Sequence, residues 1–145
     1  MIRYFDTSAL LKRYVREAGS AEVERLLRQH VAAATSRLAL VEATAAFGRL
    51  VRERILTSAA RTSYLSDLRR DMTFMDLVNV ENELIAAAAA LCARHPLRAY
   101  DAVHLASALQ IGAEVDSEVT FVCSDLALTR VARALGLATV VPGEA

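Results

Sequence analysis

Four carboxylates in this chain sit where carboxylates are costly. Asp6 closes the apolar run IRYF and precedes TSALLK, and Asp125 follows the β-branched and aromatic run VTFVCS. Glu42 lies inside LALVEATAAFGRLV. Leu38, Ala45 and Ala46 stand at i−4, i+3 and i+4 from it, a face of small and apolar residues. Asp101 lies inside LRAYDAVHLASALQ, with Leu97, Leu105 and Ala108 at i−4, i+4 and i+7. Burying an unpaired carboxylate costs several kcal/mol. Each acid also has a structural alternative. Asp6 and Asp125 could cap the helices that follow them. Asp101 could favour the first turn of its helix or pair with Arg98, and Glu42 could turn to the surface or pair with Arg49. Taken together, four such acids with few basic partners in their own segments point to a shared site. Hard divalent cations such as Mg²⁺ and Mn²⁺ take carboxylate oxygens and water, and need neither His nor Cys.

The elements that must position these acids follow from periodicity. Strands are expected at Ile2–Phe5, Val31–Thr35, Asp76–Val80, Val119–Cys123 and Ala138–Val141. Helices are expected at Thr7–Arg16, at Ser20–His30 capped by Ser20, at Ser36–Arg54 capped by Ser36, and at Thr57–Asp71 capped by Thr57. Three more are expected at Glu81–Arg94, at Arg98–Ile111 closed by Gly112, and at Asp125–Leu135 closed by Gly136. Strands separated by helices imply an α/β fold, a three-layer α/β/α sandwich with a central parallel sheet. Asp6 and Asp125 then fall at the carboxyl ends of strands, where open parallel sheets bind ligands.

The chain has 145 residues, so residues 1–145 make one domain of ordinary size. Hydrophobic residues are 54% and mean hydropathy is +0.29, which gives a large core. The longest stretch free of Lys, Arg, Asp and Glu is Ala102–Ala113, well short of the about 20 residues a membrane helix needs. With Asp6 in the opening residues and no apolar leader, no signal peptide is read, and a cytoplasmic protein is expected. Cys92 and Cys123 both lie in apolar runs and read as buried small hydrophobes. No CxxC or paired-histidine motif is present, which argues against zinc. The formal net charge is zero but uneven, net +6 over residues 1–70 and net −6 over residues 71–145. Such asymmetry suggests an anionic partner or self-association. Arg13, Arg16, Arg49 and Arg98 lie nearest the acids and are the candidate phosphate contacts. Thr7, Ser8 and Ser124 either cap helices or orient carboxylates, and His104, one turn after Asp101, reads as a core histidine or one standing behind the acids.

At these residues the chain resembles the PIN-domain ribonucleases, and more narrowly the VapC-type toxins of toxin–antitoxin pairs. DTSALLKRY resembles the family's first motif, TSRLALVEATAAF the helix that carries its glutamate, and LRAYDAVHLASAL the segment of its third acid. FVCSDLALTRVARALGL followed by VVP resembles its C-terminal acid, final helix and final strand. The likeness runs the length of the chain, in order. It implies a catalytic quartet of Asp6, Glu42, Asp101 and Asp125. Asp6 and Asp101 would bind Mg²⁺ or Mn²⁺ directly, and Glu42 and Asp125 through water or a second cation. Asp125 is the least constrained of the four, because Asp116 and Glu118 lie just before it. The implied activity is metal-dependent endoribonuclease hydrolysis of RNA by an activated water. Implied partners are RNA, a small cognate antitoxin and a second copy in a homodimer. Three other readings compete: a PIN nuclease of RNA processing that is not a toxin, a haloacid-dehalogenase-type phosphotransferase, and a non-catalytic binding module with a vestigial site. The phosphotransferase class wants a second Asp two residues after the first, where this chain has Ser8.

Overall fold

The computed structural model describes residues 1–144. Five strands form one sheet: β1 (Ile2–Phe5), β2 (Ala32–Ser36), β3 (Asp76–Val78), β4 (Val119–Val122) and β5 (Ala138–Val140). Their order is β3-β2-β1-β4-β5 and every pairing is parallel. Seven α-helices flank them: α1 (Thr7–Leu10), α2 (Ser20–Arg28), α3 (Leu38–Arg52), α4 (Ser58–Met72), α5 (Asn82–Arg94), α6 (Ala99–Glu114) and α7 (Leu126–Ala134). This is the expected three-layer α/β/α sandwich.

Side-chain alternation along the strands divides the core in two. Ile2 and Tyr4 of β1 and Val119 and Phe121 of β4 pack with α5, α6 and α7. Phe5 and Val122 point the other way, into a cluster with α1, α2, α3 and α4. From β1 the chain passes to β2 on one side, and later places β4 on the other. The gap between the carboxyl ends of β1 and β4 is therefore the point where strand order reverses.

Several element boundaries differ from the sequence expectation. The first helix is only Thr7–Leu10 and tightens into a 3-10 turn over Leu11–Arg13. Ser20 does not cap α2. Gly19 does, with φ 91°, and Ser20 Oγ instead accepts from Glu17 N at 2.9 Å. Ser36 ends β2 and Arg37 precedes α3, although Ser36 Oγ still accepts from Leu38 N at 3.0 Å. Gly112 does not end its helix, which runs on to Glu114. A Cβ there would stand 2.9 Å from Val119 Cγ2, so this glycine serves the close approach of α6 to β4. Thr57 caps α4, accepting from Ala60 N, and Gly136 follows α7 with φ 88°, both as expected. Cys123 is buried, but Cys92 is exposed, because it lies on the outer face of α5. No helix of the described residues is long and apolar enough to cross a membrane.

Candidate active site

The carboxyl edge of β1 and β4 gathers the acids. Asp6 follows β1 directly and is 3% exposed. Its Oδ1 caps α1 by accepting from Ala9 N at 3.0 Å, and also accepts from Ser8 Oγ at 2.8 Å. Its Oδ2 accepts from Cys123 Sγ at 3.2 Å. Burial pushes the Asp6 carboxyl above the ordinary aspartate range, opposed by the charged form of His104 and by these hydrogen bonds. The same burial, beside Asp6, holds the Cys123 thiol protonated and so keeps it a donor.

Asp125 caps α7, its Oδ1 accepting from Leu128 N at 3.0 Å. Asp101, in the first turn of α6, is half-buried. Its carboxyl is raised first by burial, then by the charges of Asp125 and Asp6, with Arg98 and His104 opposing. Asp101 therefore feels the charges of acids from two other segments. None of the three forms an ion pair among the described residues. Arg98 acts on Asp101 through its charge alone.

Glu42 enters from α3 on the opposite helical layer. Its Oε1 accepts from Thr7 Oγ1 at 2.7 Å and from His104 Nε2 at 2.5 Å. Behind it, His104 Nδ1 meets the Tyr4 hydroxyl at 2.8 Å. Glu42 thus joins the other acids through Thr7 and His104. Thr7 and Ser8 orient carboxylates, beyond any capping role. The hydrogen bond of Tyr4 to His104 has no signature in the sequence, because a contact across a hundred residues leaves no local pattern.

Three of the arginines nearest the acids in sequence pair with other carboxylates. Arg13 pairs with Asp71 at 2.7 Å, Arg16 with Glu24 at 2.7 Å, and Arg49 with Glu53 at 3.9 Å rather than with Glu42. Asp116 and Glu118 precede β4 and lie at its amino end, the edge away from Asp125; Glu118 O accepts from Ile2 N there. Beside Glu42 runs a groove of about 440 Å³, lined by Arg49, Arg52, Val41 and the exposed Tyr100.

The donor set suits a hard cation: carboxylate oxygens that repel one another, with the buried Ser124 Oγ lacking a hydrogen-bond partner. Among the described residues, no three His, Cys, Asp or Glu side chains are arranged closely enough to hold a metal by themselves. A hard cation there would be held by few direct carboxylates and completed by water.

The PIN domain family matches residues 3–134. Ribonuclease VapC45 of Mycobacterium tuberculosis is 40% identical over 113 residues, covering 75% of this chain and 76% of its own. Ribonuclease VapC46 of the same organism is 30% identical over 139 residues, covering 96% of both chains. Among solved structures, a toxin–antitoxin complex from Klebsiella pneumoniae aligns with TM-score 0.64 and 16% identity over 99% of both chains, a likeness of fold.

Proposed function

Because the chain belongs to the PIN-domain family, we propose that it is a VapC-type endoribonuclease, the toxin of a toxin–antitoxin pair, cutting RNA at the acidic edge of β1 and β4. The observation that supports this reading is that Asp6 and Asp125 end neighbouring strands, with Asp101 near enough for their charges to raise its carboxyl, and that none of the three has an ion-pair partner among the described residues. Carboxylates so placed are destabilised unless a cation joins them.

Asp6 and Asp101 would hold the divalent cation, Mg²⁺ or Mn²⁺, with Asp125 and Glu42 acting on it through water. Such an ion supplies charge neutralisation at the phosphate and a lowered pKa for the attacking water. The chain's own residues do the positioning. Ser8 and Cys123 both donate to Asp6, and the backbone of α1 adds a third bond, so this carboxylate cannot rotate. Asp125 is fixed in the same way by the first turn of α7. Thr7 and His104 hold Glu42 by one oxygen. In-line attack by water leaves 5′-phosphate and 3′-hydroxyl ends, and the ribose 2′-OH takes no part.

The partners of this reading are RNA, an antitoxin and a second copy of the chain. A cationic side chain delivered by the antitoxin would meet the unpaired carboxylates and neutralise them as a metal does. The test is cleavage of RNA by purified protein with Mg²⁺, with Mn²⁺ and with chelator, followed by analysis of the ends. Cutting is expected only with metal. Asp6→Asn and Asp101→Asn should each lower it by more than about 10²-fold, the upper end for loss of a group that merely supports a metal ligand. Expression alone should arrest growth. Activity in chelator, or 2′,3′-cyclic phosphate ends, would refute the mechanism. A nuclease harmless on expression would refute the toxin role.

A further inference from the structure

Behind the acids, a buried polar chain crosses from one helical layer to the other. Tyr4 is 0% exposed and His104 1% exposed. The Tyr4 ring stacks on Phe121, centroids 5.7 Å apart and planes at 8°, and meets His104 edge-on at 5.9 Å. Its hydroxyl is thereby fixed against Nδ1 at 2.8 Å. A phenol is protonated at neutral pH, so this hydroxyl is available as a donor. A neutral imidazole that accepts at Nδ1 carries its hydrogen on Nε2. Nε2 faces Glu42 Oε1 at 2.5 Å and Thr7 Oγ1 at 3.0 Å. The Thr7 hydroxyl donates to the same Oε1, at 2.7 Å. Two donors on one oxygen leave Glu42 Oε2 free of both, to serve the site.

We propose that His104 is a positioning residue for Glu42, and that the Tyr4 hydroxyl, together with the Glu42 carboxylate, fixes the imidazole tautomer that lets it act so. A half-buried carboxylate on α3 could otherwise swing into the groove beside Arg49 and Arg52. The imidazole, anchored from α6 and oriented from β1, ties that carboxylate to the edge that carries the three aspartates. A merely structural histidine would need only to be satisfied, by either nitrogen. This one has its two nitrogens matched to different partners, a donor on one side and an acceptor on the other. The inference rests on the nuclease reading for its catalytic consequence, though not for the tautomer.

The test has a spectroscopic arm and a kinetic arm. ¹⁵N NMR of imidazole-labelled full-length protein at mildly alkaline pH, without metal or RNA, should show His104 with hydrogen on Nε2. Glu42→Leu should keep that tautomer, held by the Tyr4 hydroxyl, and adding Tyr4→Phe should give a mixture of both. A hydrogen on Nδ1 in the wild type, a mixture in Glu42→Leu alone, or a single tautomer with both changes overturns the assignment. In cleavage assays His104→Gln places an amide donor near the position of Nε2 and should retain kcat within several-fold. His104→Leu should lower kcat about 10–100-fold, the range for groups that orient metal-site ligands, with KM unchanged. Equal losses in the two variants, or a loss confined to KM, overturns the positioning role. An inactive wild type with the expected tautomer would refute the nuclease reading and leave the tautomer assignment standing.

Discussion

Asp101 is disfavoured as an anion twice over, by burial and by the neighbouring charges of Asp125 and Asp6. A carboxyl whose pKa is raised by folding adds stability only while protonated. That contribution is present below the ordinary aspartate value of about 3.9 and is lost as pH rises through the higher folded value. Asp6 has the same sign. At neutral pH the metal-free protein therefore carries a repulsion that Asp101→Asn relieves at nearly constant shape. The variant should melt higher than the wild type in chelator at pH 7, by about 2–4 °C for each kcal/mol relieved in a chain of this size. The difference should vanish as pH falls below 4. Millimolar Mg²⁺ should raise the wild type and leave the variant nearly unmoved, because only the intact site binds it. Melts of both proteins across pH decide this. A destabilised, metal-indifferent variant would mean that Asp101 serves only its helix. The places of Asp6 and Asp125 at the ends of strands were legible in the sequence, because an acid that closes an apolar run marks a strand's end. The residues that orient them were less so. Thr7 and Ser8 read equally well as caps, and Tyr4 carries no polar signal in an apolar strand.

The elements were read well where local rules govern them and misread where tertiary contacts do. β1, the Thr57 cap and the Gly136 stop follow from propensity and capping alone. Gly112 has the look of a helix stop, yet α6 continues because the glycine is needed beneath Val119. The start of α2 is a second case. Ser20 is the better capping residue by type, but Gly19 occupies that place in the left-handed region at φ 91°. Its role depends on the far end of the chain. A Cβ at Gly19 would meet Pro142 C and O, each at 2.6 Å, and Gly143 N donates to Glu22 Oε2 at 3.1 Å in α2. The turn before α2 is thus sealed by the segment after β5, a contact that sequence alone cannot supply. Gly19→Ala incurs both the left-handed penalty of about 1–2 kcal/mol and an overpacking cost of about 1–3 kcal/mol. Urea unfolding should show a loss of about 2–5 kcal/mol. Cleavage at saturating RNA should be little changed below the transition, because α2 contributes nothing to the acidic edge. A stability within 0.5 kcal/mol of wild type would show that the tail does not seal this turn.

Across the whole molecule, the charge asymmetry of the sequence becomes a difference between faces. Residues 1–70, net +6, supply α1, α2, α3 and nearly all of α4, the helices that cover one side of the sheet. Residues 71–145, net −6, supply α5, α6 and α7 on the other. The acidic edge lies between the two layers, and the groove with Arg52 opens from it on the basic side. An RNA strand reaching the carboxylates is repelled by the edge itself unless metal is bound, so its attraction must come from that basic layer. The arginines nearest the acids in sequence are weak candidates, since Arg13, Arg16 and Arg49 are already paired with acids. Arg52 lines the groove beside Glu42 and forms no ion pair among the described residues. If it contacts one phosphate, Arg52→Ala should weaken RNA binding by a similar factor for every sequence tested. It should also flatten the dependence of log K on log salt by about 0.7, the contribution of one contact to single-stranded nucleic acid. Arg133→Ala is the control. It removes the same charge from the last turn of α7, the end that points away from the carboxyl edge, and should leave the slope unchanged. Fluorescence-anisotropy titrations of a labelled oligoribonucleotide on Asp6→Asn protein, in chelator so that it is not consumed, measure both slopes. Equal changes in the two variants would mean that net charge alone attracts RNA. A change confined to Arg133→Ala would place the RNA path on the opposite layer.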